Sequence, residues 1–268
     1  MRLRCVGIVT AMVLCCAGAS GVVAENASGA SNVPKEVLAN GSLGHTLMAQ
    51  PVLGQPYSAV QRHKTVRTLA DGTKITHAGH HNVARDSQGR VRVEMRIGKG
   101  ENGAPDPVTV FVLDPVAHRF TTWSTGPQAQ KVAVTVKLPD QRKGAAPAKS
   151  AKVDSLPQPV VTTESLPDDV LEGLPVKVVK ITTVVPVGRS GNDAPITKTD
   201  EVWTSEDLKL LLKEQWEDPR TGERTIALEH LSRAEPDPAL FRAPVDYVVK
   251  DIKQTLEDLQ QKLSEMQN

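Results

Sequence analysis

Eight residues constrain this chain more than any other feature. In Arg90-Val91-Arg92-Val93-Glu94-Met95-Arg96-Ile97 every second side chain is apolar and the rest are charged. Successive side chains of a strand point to opposite faces, so this run is a strand with one buried and one wet face. The period recurs at Val132, Val134 and Val136, at Val179, Ile181, Thr183 and Val185, and at Leu208, Leu210 and Leu212 opposite Lys209 and Lys213. Strands of a parallel sheet are apolar on both faces and would not alternate, so the pairing is expected to be antiparallel. Val108 to Leu113 is apolar on both faces and is expected to lie centrally.

The turns agree with this. Asp71-Gly72 between two strand-like runs predicts a two-residue hairpin turn, which needs positive φ at both central positions. Asp86-Ser87-Gln88-Gly89 and Asp218-Pro219-Arg220-Thr221-Gly222 predict longer hairpin loops with glycine in the left-handed position. About ten strands at this spacing predict an up-and-down meander that curls or closes to shield its edges. Residues 248–268 differ: Ile252, Leu256, Leu259, Leu263 and Met266 recur at steps of four and three, the stripe of an amphipathic helix. The expected fold is mainly β (α+β), a curved antiparallel meander or half-barrel with a C-terminal amphipathic helix.

Met1 to Ala24 has the layout of a secretory signal: Arg2 and Arg4, an apolar stretch from Val6 to Cys16, and small residues before a cleavage site expected after Ala24. The three cysteines, Cys5, Cys15 and Cys16, all fall inside it. The exported chain then has no thiol for a disulfide, a zinc site or a nucleophile, and no stable membrane span. Residues 25–55 are rich in Ala, Ser, Asn and Gly and are read as a flexible leader carrying the sequon-like Asn26-Ala27-Ser28 and Asn40-Gly41-Ser42. Residues 56–268 are expected to form a single antiparallel domain, interrupted by a Pro/Ala/Lys-rich disordered insertion at about 138–159.

Motifs for chemistry are sparse. His77, His80 and His81 suggest metal ligation, but on one strand His80 and His81 face opposite ways, and His77 and His81 lie about 13 Å apart. Gly98-Lys99-Gly100-Glu101-Asn102-Gly103 fits a dinucleotide fingerprint as a string, yet Pro105 and Pro107 follow where a helix must open. No catalytic, cofactor-binding or metal-binding residue is therefore assigned, and no cofactor is expected. Tyr57 to Ile97 carries eight Arg/Lys against three Asp/Glu, while Asp200 to Asn268 carries nine against sixteen. The basic stretch has only Tyr57 as an aromatic platform, so nucleic acid is not an expected partner, and complementary solvated faces explain the asymmetry better. Trp123, Trp203 and Trp216 sit in strand-like runs and are expected in cores, or against a lipid where they line a cavity.

Several strings in combination resemble a group of uncharacterised secreted bacterial proteins. They are Pro56-Tyr57-Ser58-Ala59, Thr68-Leu69-Ala70-Asp71-Gly72, Arg85-Asp86-Ser87-Gln88-Gly89-Arg90, Leu113-Asp114-Pro115, Glu201-Val202-Trp203-Thr204-Ser205-Glu206-Asp207-Leu208, Asp218-Pro219-Arg220-Thr221-Gly222-Glu223, and Glu235-Pro236-Asp237-Pro238-Ala239-Leu240-Phe241. The likeness spans about Pro56 to Tyr247. In layout, a signal followed by an antiparallel meander resembles the LolA-like and RseB-like lipoprotein-carrier superfamily, in which a curved sheet encloses an apolar cavity. That resemblance implies a non-catalytic binding or carrier module of the periplasm or the secreted fraction, for an apolar or amphiphilic ligand such as a lipid or a lipoprotein acyl chain. The alternatives are a protein-interaction module with a self-filled core and an unrecognised Asp/Glu/His hydrolase.

Overall fold

The computed structural model describes residues 51–96, 106–127, 129–138, 156–255, 257, 261 and 264. The expected signal, most of the leader, the Gly98–Gly103 string and most of the insertion lie outside them. The described chain is mostly β. Twelve strands form one open sheet: β1 Tyr57–Thr68, β2 Lys74–Arg85, β3 Val91–Arg96, β4 Val108–Asp114, β5 Arg119–Thr125, β6 Val132–Lys137, β7 Val160–Leu171, β8 Leu174–Val185, β9 Ile196–Ser205, β10 Leu210–Asp218, β11 Gly222–Ser232 and β12 Val248–Asp251.

Strands β1 to β6 form one meander and β7 to β11 another. The order β12-β6-β5-β4-β3-β2-β1-β11-β10-β9-β8-β7 joins them through β1 and β11. All pairs are antiparallel except β12 with β6, where Val248 sits opposite Val132. This corrects the start of the predicted helix: Val248 to Asp251 are strand, and helical residues begin at 252. Two valines in succession suit a strand edge better than a first helical turn. Of the apolar stripe only Ile252, half-buried, is described; Leu256, Leu259, Leu263 and Met266 fall outside.

Alternation places the cores as the pattern predicts. In β4 Phe111 and Leu113 enter one cluster with Tyr57, Val83 and Val93, while Val110 and Val112 enter another with Trp123 and Ala133, so this strand is buried on both faces. The second cluster is covered by the strap after β11, whose Phe241 is 6% exposed and whose Tyr247 hydroxyl donates to the Ser124 carbonyl at 2.9 Å. Strand β8 changes sides along its length: Leu174, Val176 and Val178 are buried near its start, and Ile181 and Val185 beyond Lys180.

The sheet bends back on itself at the Tyr57 end. Strands β2 and β10 stand three spacings apart, about 14 Å if flat, farther than an arginine reaches. Yet Arg85 Nη2 donates to the Leu208 carbonyl, in the turn before β10, at 2.6 Å. The β7–β8 tip likewise crosses to β11, where the Leu231 amide donates to Glu172 Oε2 at 3.0 Å.

Two turn readings need correction. Asp71-Gly72 belongs to a five-residue connection in which only Gly72 has positive φ, because Thr68 pairs with Lys74 and leaves residues 69–73 to turn. The two-residue turn is Glu172-Gly173, with φ of 51° and 74°, closing Leu171 on Leu174. Leu208 is not in a strand; it is fully buried in the β9–β10 turn, and a bulge between Leu211 and Lys213 resets the face after it.

Candidate functional site

Buried polar side chains normally find hydrogen-bond partners. Six buried side-chain atoms have none among the described residues: His63 Nδ1, His81 Nδ1, Asp200 Oδ1, Thr204 Oγ1, Glu214 Oε2 and Arg224 Nε. The register puts all six residues on one face of β2-β1-β11-β10-β9. His81 opposes Gln61, His63 opposes Ile226, Arg224 opposes Trp216, Glu214 opposes Val202, and Trp216 opposes Asp200. Within each strand the residues are two or four apart, which keeps them on that face.

Its centre is a carboxyl pair beside one arginine. Glu214 is 5% exposed, and Arg224 Nη2 reaches its Oε1 at 3.5 Å. The Arg224 guanidinium also lies 5.6 Å from the Trp216 ring centre. Burial, and then the negative charge of Asp200, push the Glu214 carboxyl up to about 7, against the pull of Arg224. Asp200 is raised as well, chiefly by burial, although Arg224 and Lys198 oppose it. Half-buried Val179, Ile226 and Trp216 flank these groups, with Val202 and Leu211 buried between them. The face therefore sets unsatisfied polar atoms against apolar side chains.

The histidines form its other end. The His63 and His81 rings stack with centres 4.9 Å apart. Burial, then His63 and His80, lower His81 to about 4, so it is neutral at physiological pH. The stack requires Gly79, because a Cβ there would stand 2.5 Å from the His63 ring. His77 opposes Thr65 on this face; His80 opposes Arg62 on the other. No group of three His, Cys, Asp or Glu residues suited to a metal ion occurs among the described residues. Across β11, His63 and Glu214 are two strand spacings apart, about 10 Å, which is too far for a His–carboxylate pair to share a proton.

The remaining expected features have structural roles. Trp123 is buried under Arg92, and Lys213 lies 4.1 Å from the centre of the Trp203 ring. Arg85 lies over Tyr57 at 4.9 Å and donates to two carbonyls, those of Gln55 and Leu208. Burial lowers the Arg85 pKa and raises that of Tyr57. The basic stretch meets the acidic one, since Arg62 of β1 pairs with Glu229 of β11 and Ser87 bonds Glu235. A cavity among Tyr57, Val83, Arg85, Leu113, Leu210 and Leu228 holds about 60 Å³. Pockets for small molecules run to several hundred Å³, so this one does not admit an acyl chain. No described helix is long and apolar enough to cross a membrane.

No family model matches the chain, and no curated protein does. Among solved structures it is similar to a conserved protein from Thermus thermophilus, at 14% identity and TM-score 0.37, covering 74% of this chain and 91% of that one. It is also similar to the Pseudomonas aeruginosa MucA/MucB complex, at 16% identity and TM-score 0.35, over 72% of this chain and 58% of that one. A LolA superfamily protein from Nitrosomonas europaea matches at 10% identity and TM-score 0.26, over 70% and 90%. The LolA superfamily is thus among the matches, as the layout of the sequence led us to expect. At such low overlap no ligand or partner of those proteins transfers to this chain.

Proposed function

We propose that the chain is a non-catalytic binding or carrier module of the cell envelope, which takes an amphiphilic ligand on this face of β9-β10-β11-β1-β2. The observation that carries this is the concentration of all six unpartnered polar atoms on one face, beside half-buried Val179, Ile226 and Trp216. A protein that only packed against itself would gain by satisfying or deleting those groups, since each unsatisfied one costs about 1–3 kcal/mol. A bound headgroup supplies the partners, and its chain covers the apolar residues. No covalent step is required. The Tyr57 cavity, which shares this face through Gln61, Val83 and Leu228, holds only about 60 Å³, and this supports seating the ligand farther along the face.

Native mass spectrometry of the protein purified from envelope extracts tests this reading. A lipid-sized adduct is expected, lost from a Val202→Asp variant whose circular dichroism is unchanged. An adduct-free protein that also fails to take up fluorescent amphiphiles in titration would refute it.

A further inference from the structure

The inference rests on the binding face proposed above and names the group that face takes. At its centre two of the three unmet atoms are acceptors, and the third is the Arg224 Nε donor. Asp200 Oδ1 and Glu214 Oε2 each lack a donor among the described residues. The cations nearby do not supply one. Arg224 touches the other Glu214 oxygen, at the 3.5 Å limit of a hydrogen bond, and its guanidinium lies 5.6 Å from the Trp216 ring centre. Lys198 acts on Asp200 only at a distance. Asp218, the next acid on this face of β10, is occupied by Arg220, which donates through Nε at 2.9 Å and Nη2 at 2.5 Å.

Ligand chemistry follows from that deficit. A phosphate or carboxylate lodged between Asp200 and Glu214 would meet two carboxyl groups and leave both acceptors unmet. A quaternary ammonium carries charge but no N–H to donate. A primary ammonium brings three donors and one positive charge, as the lysine head does. The half-buried side chains of Val179, Ile226 and Trp216 lie within one strand spacing of the pair and suit an alkyl chain.

We infer that the face binds an amphiphile with a primary ammonium head, its –NH3+ donating to Asp200 and Glu214 and its alkyl part lying along Val179, Ile226 and Trp216. Burial holds both carboxyl groups above their usual range against the pull of Arg224, and a bound ammonium would favour their ionised form. Charged groups facing Glu214 are Asp200 and Lys198 on β9, Arg224 on β11 and Asp218 on its own strand.

The test is calorimetric titration of the full chain with dodecylamine, dodecyltrimethylammonium and dodecanol, which share a chain and differ in the head. Dodecylamine is expected to bind at least ~10-fold tighter than the other two. That preference disappears in Glu214→Gln and Asp200→Asn variants of unchanged circular dichroism. It grows from about pH 6 to about pH 8, where Glu214 gives up its proton. Equal binding of all three probes, weakened together by Val202→Asp, overturns the ammonium head and leaves the amphiphile face standing. Failure of every probe to bind overturns both. A further arm compares phosphatidylethanolamine with phosphatidylcholine vesicles of the same acyl chains. Preferential flotation with the former identifies a bilayer lipid as the source of the head, and no preference identifies a free amine.

Discussion

Strand β10 holds two buried acids four residues apart that have opposite fates. Asp218, 1% exposed, accepts from the Arg220 backbone and guanidinium in its own hairpin turn, and those bonds hold its carboxyl below the usual range. Glu214, 5% exposed, has one distant arginine and one bare oxygen, and it stands near neutrality. Asp86 repeats the first pattern in the β2–β3 turn, bonded by the Arg90 amide at 2.8 Å and its Nε at 2.5 Å. Hairpin turns thus neutralise their acids locally, through residues two to four positions away. Glu214 and Asp200, in mid-strand, depend on other strands, and there the neutralisation is incomplete. The difference separates charges that hold the fold from charges kept open for something else.

The largest test of that contrast removes a satisfied acid. Asp86→Ala strips the partner from Arg90, whose side chain is 12% exposed, and is expected to cost about 3 kcal/mol or more in urea unfolding. Next comes pH. The folded pKa of Glu214 is raised above its unfolded value, so the native state holds the extra proton between about 4.5 and about 7. Stability from this group is full below that window and is lost as pH rises through it, by up to about 3 kcal/mol. Glu214→Gln should remove this fall from the stability profile. Asp218 has the opposite sign: its stabilisation is present above the ordinary carboxylate pKa and is lost on acidification.

His81 sharpens the comparison. Its folded pKa of about 4 lies below the unfolded 6.5, so acidification through that window favours the unfolded chain and partly masks the Glu214 effect. Gly79→Ala should displace His63, cost about 1 kcal/mol, and move the His81 titration upward, as followed by NMR of the imidazole protons. The smallest effect belongs to Arg62→Ala. Its pair with Glu229 is exposed on both sides, and thermal unfolding should register a loss of no more than about 0.5 kcal/mol.

Strand content was legible because alternation is local. Arg90 to Ile97 and Val108 to Leu113 announce their faces by themselves, and β3 and β4 follow them. Turn lengths were less so. Whether Asp71-Gly72 closes a two-residue turn depends on whether Thr68 meets Lys74, a register that the dipeptide does not encode. The site was legible only in part. Leu212-Glu214-Trp216 sets an acid between two large apolar residues at period two, a signal that could have marked Glu214. Asp200 and Arg224 join it through pairings of β10 with β9 and β11, and His63 through the seam of β1 with β11, none of which composition reveals.

That seam has a consequence for how the molecule is made. Gln61 meets Leu228, so the first long strand waits for one synthesised well over a hundred residues later. Non-local pairings of this kind slow folding, because the intervening loop must be closed before the contact repays it. Until β11 emerges, the outer border of β1 stands bare from Ser58 to Val66. A stop placed before Gly222 would leave that border of β1 without its partner strand.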